Sequence, residues 1–180
     1  MASHHPAPTR HSRRTPVQLA ALVVGVVFLL VGVAGFIPGI TTQYDQMSFA
    51  GHESEALLLG IFQVSVLHNV VHLLFGVAGV ALARTFNGSR GYLVGGGLIY
   101  GVLFLYGLAV GHDSPANVVP LNDADNWLHL GLALGMVGLG LALGRRTPEN
   151  ATTASTTDLT GRGEPGPGRN DPGRTDLTNP

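Results

Sequence analysis

Residues 57 to 83 read LLLGIFQVSVLHNVVHLLFGVAGVALA and contain no charged side chain. A helix needs about 20 apolar residues, each rising 1.5 Å, to cross a hydrocarbon core of about 30 Å. This stretch is therefore longer than one crossing requires. We predict that the membrane span covers residues 64–83 and that residues 53–63 form an interfacial or externally packed segment.

Three other stretches have the same apolar character. Residues 17–37 and residues 91–111 carry no charge, and residues 127–144 begin with Trp127, an aromatic side chain typical of the membrane interface. The chain is 45% hydrophobic and only 12% charged, which also indicates a lipid environment. The sequence therefore predicts an all-α fold, a four-helix transmembrane bundle in the lipid bilayer, with spans at 17–37, 64–83, 91–111 and 127–144.

The first stretch has an alternative interpretation as a cleaved signal peptide, because basic residues precede it. The apolar core of a signal peptide is about 7 to 15 residues long. Residues 17–37 form a longer run. We therefore interpret this stretch as a retained span.

The positions of the arginines predict the orientation of the spans. Arginine occurs before the first span, between the second and third spans, and after the fourth span, whereas the other two connections contain none. Basic flanks are retained in the cytoplasm. We therefore expect a multi-pass protein of the cell membrane with both termini cytoplasmic. The two outer connections carry acidic residues instead: Asp45, Glu53, Glu55, Asp113, Asp123 and Asp125.

Both ends of the chain lack apolar periodicity. Residues 1–16 combine arginine, histidine and proline, and residues 147–180 are rich in threonine, glycine, proline and asparagine. Such segments bury too little apolar surface to offset the entropy of ordering. They predict a disordered basic N-terminal flank and a disordered cytoplasmic tail, for which docking on a partner is the alternative role.

Composition narrows the possible functions. The net charge is −1 and the arginines are scattered, so we expect no nucleic-acid partner. The chain has no cysteine, which excludes disulfides and thiolate sites. No hydrolase, kinase, phosphate-loop or zinc-protease motif is present, and we expect a non-enzymatic role. Small-residue spacings such as Gly131/Gly135 fit helix packing and leave open a homo-oligomer or an unknown membrane partner.

Polar residues lie on one face of the second span. At about 100° per residue, His68, Asn69 and His72 share a stripe that continues in small residues. Asn126 and His129 begin a similar stripe in the fourth span. Because lipid cannot hydrogen-bond these groups, both stripes should face other helices. The small residues of the stripes are Gly76, Gly79 and Ala83 in span two and Ala133, Gly140 and Gly144 in span four.

A weak internal repeat relates the two halves. The motif NxxHL occurs at residues 69–73 and again 57 residues later, at 126–130. Residues 25–29, GVVFL, match residues 101–105, GVLFL, at an offset of 76. This pattern favours two parallel helical-hairpin repeats.

The polar layer formed by His68, Asn69, His72, Asn126 and His129 has three interpretations. It can be a structural seam of hydrogen bonds between spans two and four, each contributing about 0.6 kcal/mol, with no cofactor. It can hold b-type haem or a metal ion, with His68, His72 and His129 as candidate metal ligands, in a redox or carrier protein. It can serve a small-cation or proton transporter. The sequence favours the structural seam and leaves the biochemical role open.

Three segments resemble a known family of proteins. Residues 38–42 (PGITT), residues 58–79 and residues 126–130 (NWLHL) are similar to bacterial four-span membrane proteins of an uncharacterised domain family. The resemblance covers residues 17–146, and its motifs are HNxxH in span two and NxxHL in span four. It implies the four-span topology and no assigned activity.

Overall fold

The computed structural model describes residues 14–110, 114, 116–117 and 121–145. The predicted N-terminal flank, apart from its last three residues, and the predicted tail at 147–180 lie outside the described residues. The described part is mostly helical and also contains a small sheet. The helices are α1 (Pro16–Ala34), α2 (Val66–Leu82), α3 (Phe86–Ala109) and α4 (Asp123–Ala142), and the strands are β1 (Thr41–Thr42), β2 (Leu57–Leu58) and β3 (Phe62–Gln63).

Two helices of the described residues, α1 and α3, are long and apolar enough to cross a membrane. They have 19 and 24 residues. Helix α2 is also apolar but has 17 residues. Length and composition therefore support membrane association through α1 and α3.

The helices begin at capping residues, and these do not coincide with the starts of the uncharged stretches of sequence. Thr85 accepts a hydrogen bond from the backbone of Gly88 at 3.1 Å, and Asn122 accepts one from the backbone of Asp125 at 2.9 Å. These caps satisfy backbone N–H groups that a helix start leaves free. Helices α3 and α4 consequently begin five and four residues before the predicted spans at 91 and 127. Helix α2 begins two residues later than predicted, because Ser65 is its cap.

The small sheet corrects the all-α prediction. Strands β1, β2 and β3 pair antiparallel in that order within the connection between α1 and α2. Leu59 and Gly60 adopt positive φ angles of 54° and 71° at the turn between β2 and β3. Strands of two residues are too short to show an alternating pattern, so hydropathy could not reveal them.

The helices form two tightly packed pairs, α1 with α2 and α3 with α4. A Cβ placed on Gly25 would lie 2.8 Å from the backbone nitrogen of Val80 and 3.0 Å from the oxygen of Gly76. A Cβ on Gly97 would lie 2.9 Å from the nitrogen of Val137 and 3.0 Å from the oxygen of Ala133. Glycine is therefore needed in both pairs so that the two backbones can touch.

These equivalent contacts correct the sequence offset between spans one and three. Gly25 corresponds to Gly97, at an offset of 72, and not to Gly101. Gly97 and Gly101 lie one turn apart on the same helix face, so a glycine-rich sequence matches nearly as well in either register. Val80 and Val137, which make these contacts with Gly25 and Gly97, are 57 residues apart, the offset predicted between spans two and four.

The two hairpins meet through aromatic side chains. Phe28 of α1 and Tyr100 of α3 stack with ring centroids 5.6 Å apart and planes at 17°. Phe75 packs edge-on against both rings, at 5.0 Å and 5.7 Å. Each hairpin is thus closed by backbone contacts, while the contact between hairpins is made by side chains.

The substitution Gly25→Ala tests the backbone contact. The added methyl group has to displace main-chain atoms of α2, and we expect a loss of about 1 to 3 kcal/mol of stability. Gly95→Ala is the matched control, because a Cβ at Gly95 meets nothing within 4 Å. Thermal unfolding in mild detergent measures both variants. Equal unfolding temperatures for the two would contradict the assignment.

Candidate functional site

Two equivalent helix starts position the polar residues. Ser65 caps α2, and His68 and His72 follow one and two turns into the helix. Asn122 caps α4, and Asp125 and His129 follow at the same distances. Residues one turn apart on a helix lie on the same face. Each helix therefore presents two ionisable side chains in line.

These four ionisable side chains line one cavity of about 210 Å³. The cavity lies at the N-terminal ends of α2 and α4, against the β2–β3 hairpin. Apolar side chains form the rest of its wall: Val31, Leu58, Leu59, Phe62, Val64, Leu128 and Leu132. The structure thus brings His68, His72 and His129 together, and it adds Asp125 to them.

The two histidines of α2 are stacked on each other. Their ring centroids are 4.4 Å apart and the planes differ by 15°. Nδ1 of His72 is 3.0 Å from the backbone oxygen of His68. Because a carbonyl oxygen only accepts, Nδ1 carries the proton and Nε2 is left as an acceptor. The ring of His68 forms no hydrogen bond with the described residues.

His129 is buried, with 3% of its surface exposed. Its ring packs against Tyr100 at a centroid distance of 5.2 Å. Its Nδ1 atom is buried and has no hydrogen-bond partner among the described residues. A buried polar atom without a partner costs about 1 to 3 kcal/mol, so its presence requires an explanation.

The Asp125 carboxylate joins α4 to the sheet. Its Oδ2 atom accepts hydrogen bonds from the backbone N–H of Gln63 at 3.0 Å and of Asn122 at 3.1 Å. The Asn122 side chain also donates to the backbone oxygen of Ile61 at 2.7 Å. Oδ1 accepts no hydrogen bond from the part of the chain that the structure describes. Burial raises the pKa of Asp125 to about 7, although the two backbone donors act in the opposite direction.

Asp125 is the site residue that the sequence analysis missed. It was assigned only to an acidic outer connection. The signal that could have found it is Asn122 followed three residues later by Asp125, which is the spacing of a capping box. That spacing places Asp125 inside the helix, one turn before His129.

The two asparagines have a different position from the one predicted. Asn69 packs its carboxamide against Gly35 at the end of α1, and Asn126 packs against Gly107 in α3. Both asparagines therefore fill space inside their own hairpins. The prediction that spans two and four pack directly through a shared Asn/His layer is wrong, because α2 and α4 do not form a packed pair and their histidines line a cavity instead.

Comparison with known proteins gives one finding. The model of a family described as a domain of unknown function, DUF4383, matches residues 18–142. The chain belongs to this family. No curated protein and no solved structure matches the chain. The DUF4383 match runs from the first turn of α1 to the end of α4, and it confirms an uncharacterised domain family without assigning an activity.

Asp125 gives this DUF4383 domain a testable pH dependence. Asp125 precedes the apolar stretch that starts at Trp127, and the ordinary pKa of its carboxyl group is 3.8. Because the folded state binds this proton more tightly, the contribution of Asp125 to stability is largest below about pH 4 and is lost as pH rises to about 7. The loss is a few kcal/mol at about 1.4 kcal/mol per pKa unit.

The isosteric variant Asp125→Asn removes this titration. We expect the unfolding temperature of the variant to decline less between pH 4 and pH 7 than that of the wild type, in the same detergent. Subtracting the two curves isolates Asp125 from the other titrating groups. Parallel curves would show that Asp125 does not titrate in this range.

Proposed function

We propose that this DUF4383 domain is a four-span protein of the cell membrane, with both termini in the cytoplasm, that binds a cation in its cavity. The observation that carries the proposal is the cavity wall, in which three histidines and one aspartate retain atoms without hydrogen-bond partners among the described residues. The following observations support the topology and the ligand class in turn.

The outward surface of all four helices supports four membrane spans. Every helix exposes large apolar side chains around the bundle. Soluble monomers rarely expose apolar patches of more than a few hundred Å². In a bilayer, lipid tails solvate such a surface and leave only backbone polar groups to be satisfied inside the helices. One strongly exposed example from each helix is Leu30 (64%), Leu74 (65%), Leu108 (66%) and Leu134 (68%).

The equivalent contacts of the two hairpins support the orientation. Gly25 and Gly97 make the same backbone contact, and Phe28 and Tyr100, which are also 72 residues apart, touch each other. Contact between equivalent residues is typical of an approximate two-fold relation. Two such hairpins are parallel repeats, each of which crosses the membrane outward and back. Both termini then lie on the side where the arginines are found.

The chemistry of the cavity wall supports a cation. Nε2 of His72 can only accept a hydrogen bond while the ring is neutral, and Oδ1 of Asp125 also accepts. No arginine of the described part of the chain lines the cavity. Acceptor atoms with one carboxylate favour a ligand that donates hydrogen bonds or accepts electron pairs. An anion would find no positively charged partner there.

The alternatives explain the cavity less well. A structural seam would use hydrogen bonds between α2 and α4, yet the histidines of α2 make none with His129. Haem needs more space than this cavity of about 210 Å³ provides, because pockets for ordinary small molecules already measure about 300 to 1,000 Å³. Transport would need a path toward the C-terminal end of α2, and there Phe28, Phe75 and Tyr100 are packed against one another.

Single-cysteine labelling tests the topology, because the native chain contains no cysteine. We expect Glu53→Cys to react with a membrane-impermeant maleimide on intact cells. Arg84→Cys and Arg145→Cys should react only after permeabilisation, since both lie beside predicted cytoplasmic flanks. All three side chains are exposed in the structure, so accessibility within the protein is matched. Labelling of Arg84→Cys on intact cells would overturn the four-span topology.

Thermal stability tests cation binding. A ligand that binds only the folded state stabilises it by about 2.7 kcal/mol at a concentration of 100 times its Kd. We expect at least one chloride salt among those of Na⁺, K⁺, Mg²⁺ and Zn²⁺ to raise the unfolding temperature at matched ionic strength. The increase should be reduced in His129→Gln. If no salt has an effect and the unfolding temperature of His129→Gln responds to pH as the wild type does, the cavity does not bind cations.

A further inference from the structure

We propose that the cavity is a site for a divalent transition-metal ion of the zinc type, with His68, His72, Asp125 and His129 as its ligands. This inference rests on the cation binding proposed above and specifies the class of cation. It depends on the spacing of the four residues, on the chemistry of their donor atoms, and on the hydrogen bonds that already hold two of them.

The spacing provides two chelating pairs. His68 and His72 are four residues apart on α2, and Asp125 and His129 are four residues apart on α4. Side chains at this spacing lie one above the other on a helix face, and paired histidines of this kind bind zinc on helices of metalloproteases. The pairs occupy equivalent positions, 57 residues apart, and line the same cavity. Each hairpin therefore supplies two ligands.

The donor atoms select the class of metal. Three imidazole nitrogens and one carboxylate oxygen are ligands that suit zinc, cobalt and related ions. Calcium and magnesium require sets of oxygen ligands. The four side chains match the number that a tetrahedral site requires. The cavity walls around them are apolar, which favours direct bonds to the ion over competition from water.

Existing hydrogen bonds already orient two of the ligands. Nδ1–H of His72 donates to the backbone oxygen of His68, and this fixes the tautomer in which Nε2 can bind a metal. Two backbone N–H groups hold Oδ2 of Asp125, so Oδ1 remains for coordination. Metal-binding histidines and carboxylates commonly have such partners. His129 adds a buried nitrogen that has no partner among the described residues.

More than one side chain has to move for the ion to bind. In the described residues no three histidine, aspartate or glutamate side chains are arranged to hold a metal ion. The ring of His68 is stacked on His72 and makes no hydrogen bond with the described residues, so a rotation of His68 gives up this stacking contact and none of the hydrogen bonds seen there. Because His68 borders the cavity, its ring has space to turn toward the other ligands.

The first experiment uses Co²⁺ as a spectroscopic substitute for zinc, added to the full chain in mild detergent without a histidine tag. We expect absorption bands of four-coordinate cobalt at one ion per chain, and their displacement by Zn²⁺. Asp125→Asn and His129→Gln should weaken the affinity by roughly tenfold or more. Asp125→Asn retains the shape of the side chain and its ability to accept from Gln63, which preserves the fold. Circular dichroism confirms the helix content of each variant.

Two controls exclude other histidines. His52 lies in the connection between α1 and α2 and does not line the cavity, so His52→Ala should bind cobalt like the wild type. The double variant His4→Ala and His5→Ala removes the adjacent histidines near the N-terminus and should also behave like the wild type. Cobalt binding that survives in Asp125→Asn and His129→Gln but is lost in either control would overturn the proposed site.

The outcomes separate this inference from the proposed function. Absence of cobalt and zinc binding, together with stabilisation by a monovalent cation or a proton that depends on His129, would overturn the metal site and retain the cation-binding cavity. Absence of any cation effect would overturn both. Cobalt bands that disappear in the two cavity variants and persist in the two controls are the result we expect.

Discussion

The close approach of two backbones within each helix pair determines the rest of this structure. Gly25 and Gly97 allow the backbone of α1 to approach that of α2 and the backbone of α3 to approach that of α4 closely. In a bilayer, where apolar side chains gain nothing from leaving lipid, such van der Waals contact is a principal source of helix association. Each helix pair is therefore a closely packed hairpin. The two hairpins contact each other through the aromatic rings of Phe28, Phe75 and Tyr100. The cavity lies at the N-terminal ends of α2 and α4.

The same geometry explains why the polar residues have two different environments. The asparagine and histidine side chains lie on one helix face but point in directions that differ by several tens of degrees around the helix axis. They therefore have different surroundings. Asn69 and Asn126 point back into their own hairpins, where a glycine makes space for a carboxamide. The histidines instead line the cavity. Neighbouring residues of one motif thus fill space within a hairpin and line the cavity.

The sequence predicted the features that follow from solvent preference. The polar stripe of α2 is buried as expected at Asn69 and His72, and so is that of α4 at Asn126 and His129. Charge and hydropathy did not reveal which helix each polar stripe packs against. The packing partners depend on the close backbone contacts at Gly25 and Gly97. The sheet was missed because its strands are only two residues long. Asp125 was missed because composition alone assigns a charged residue at the start of a helix to the preceding loop.

Two hydrogen bonds at the start of α4, which Gln63 donates to Asp125 and Asn122 donates to Ile61, also bear on how the protein is made. The sheet lies between the first two helices, yet its third strand is anchored by Asp125 and Asn122, about sixty residues further along the chain. Contacts between distant residues form late, after the intervening chain has been synthesised and placed. The end of the first hairpin that carries the sheet therefore stays incomplete until α4 is in position. Closure of the cavity is then the event that completes assembly of the domain.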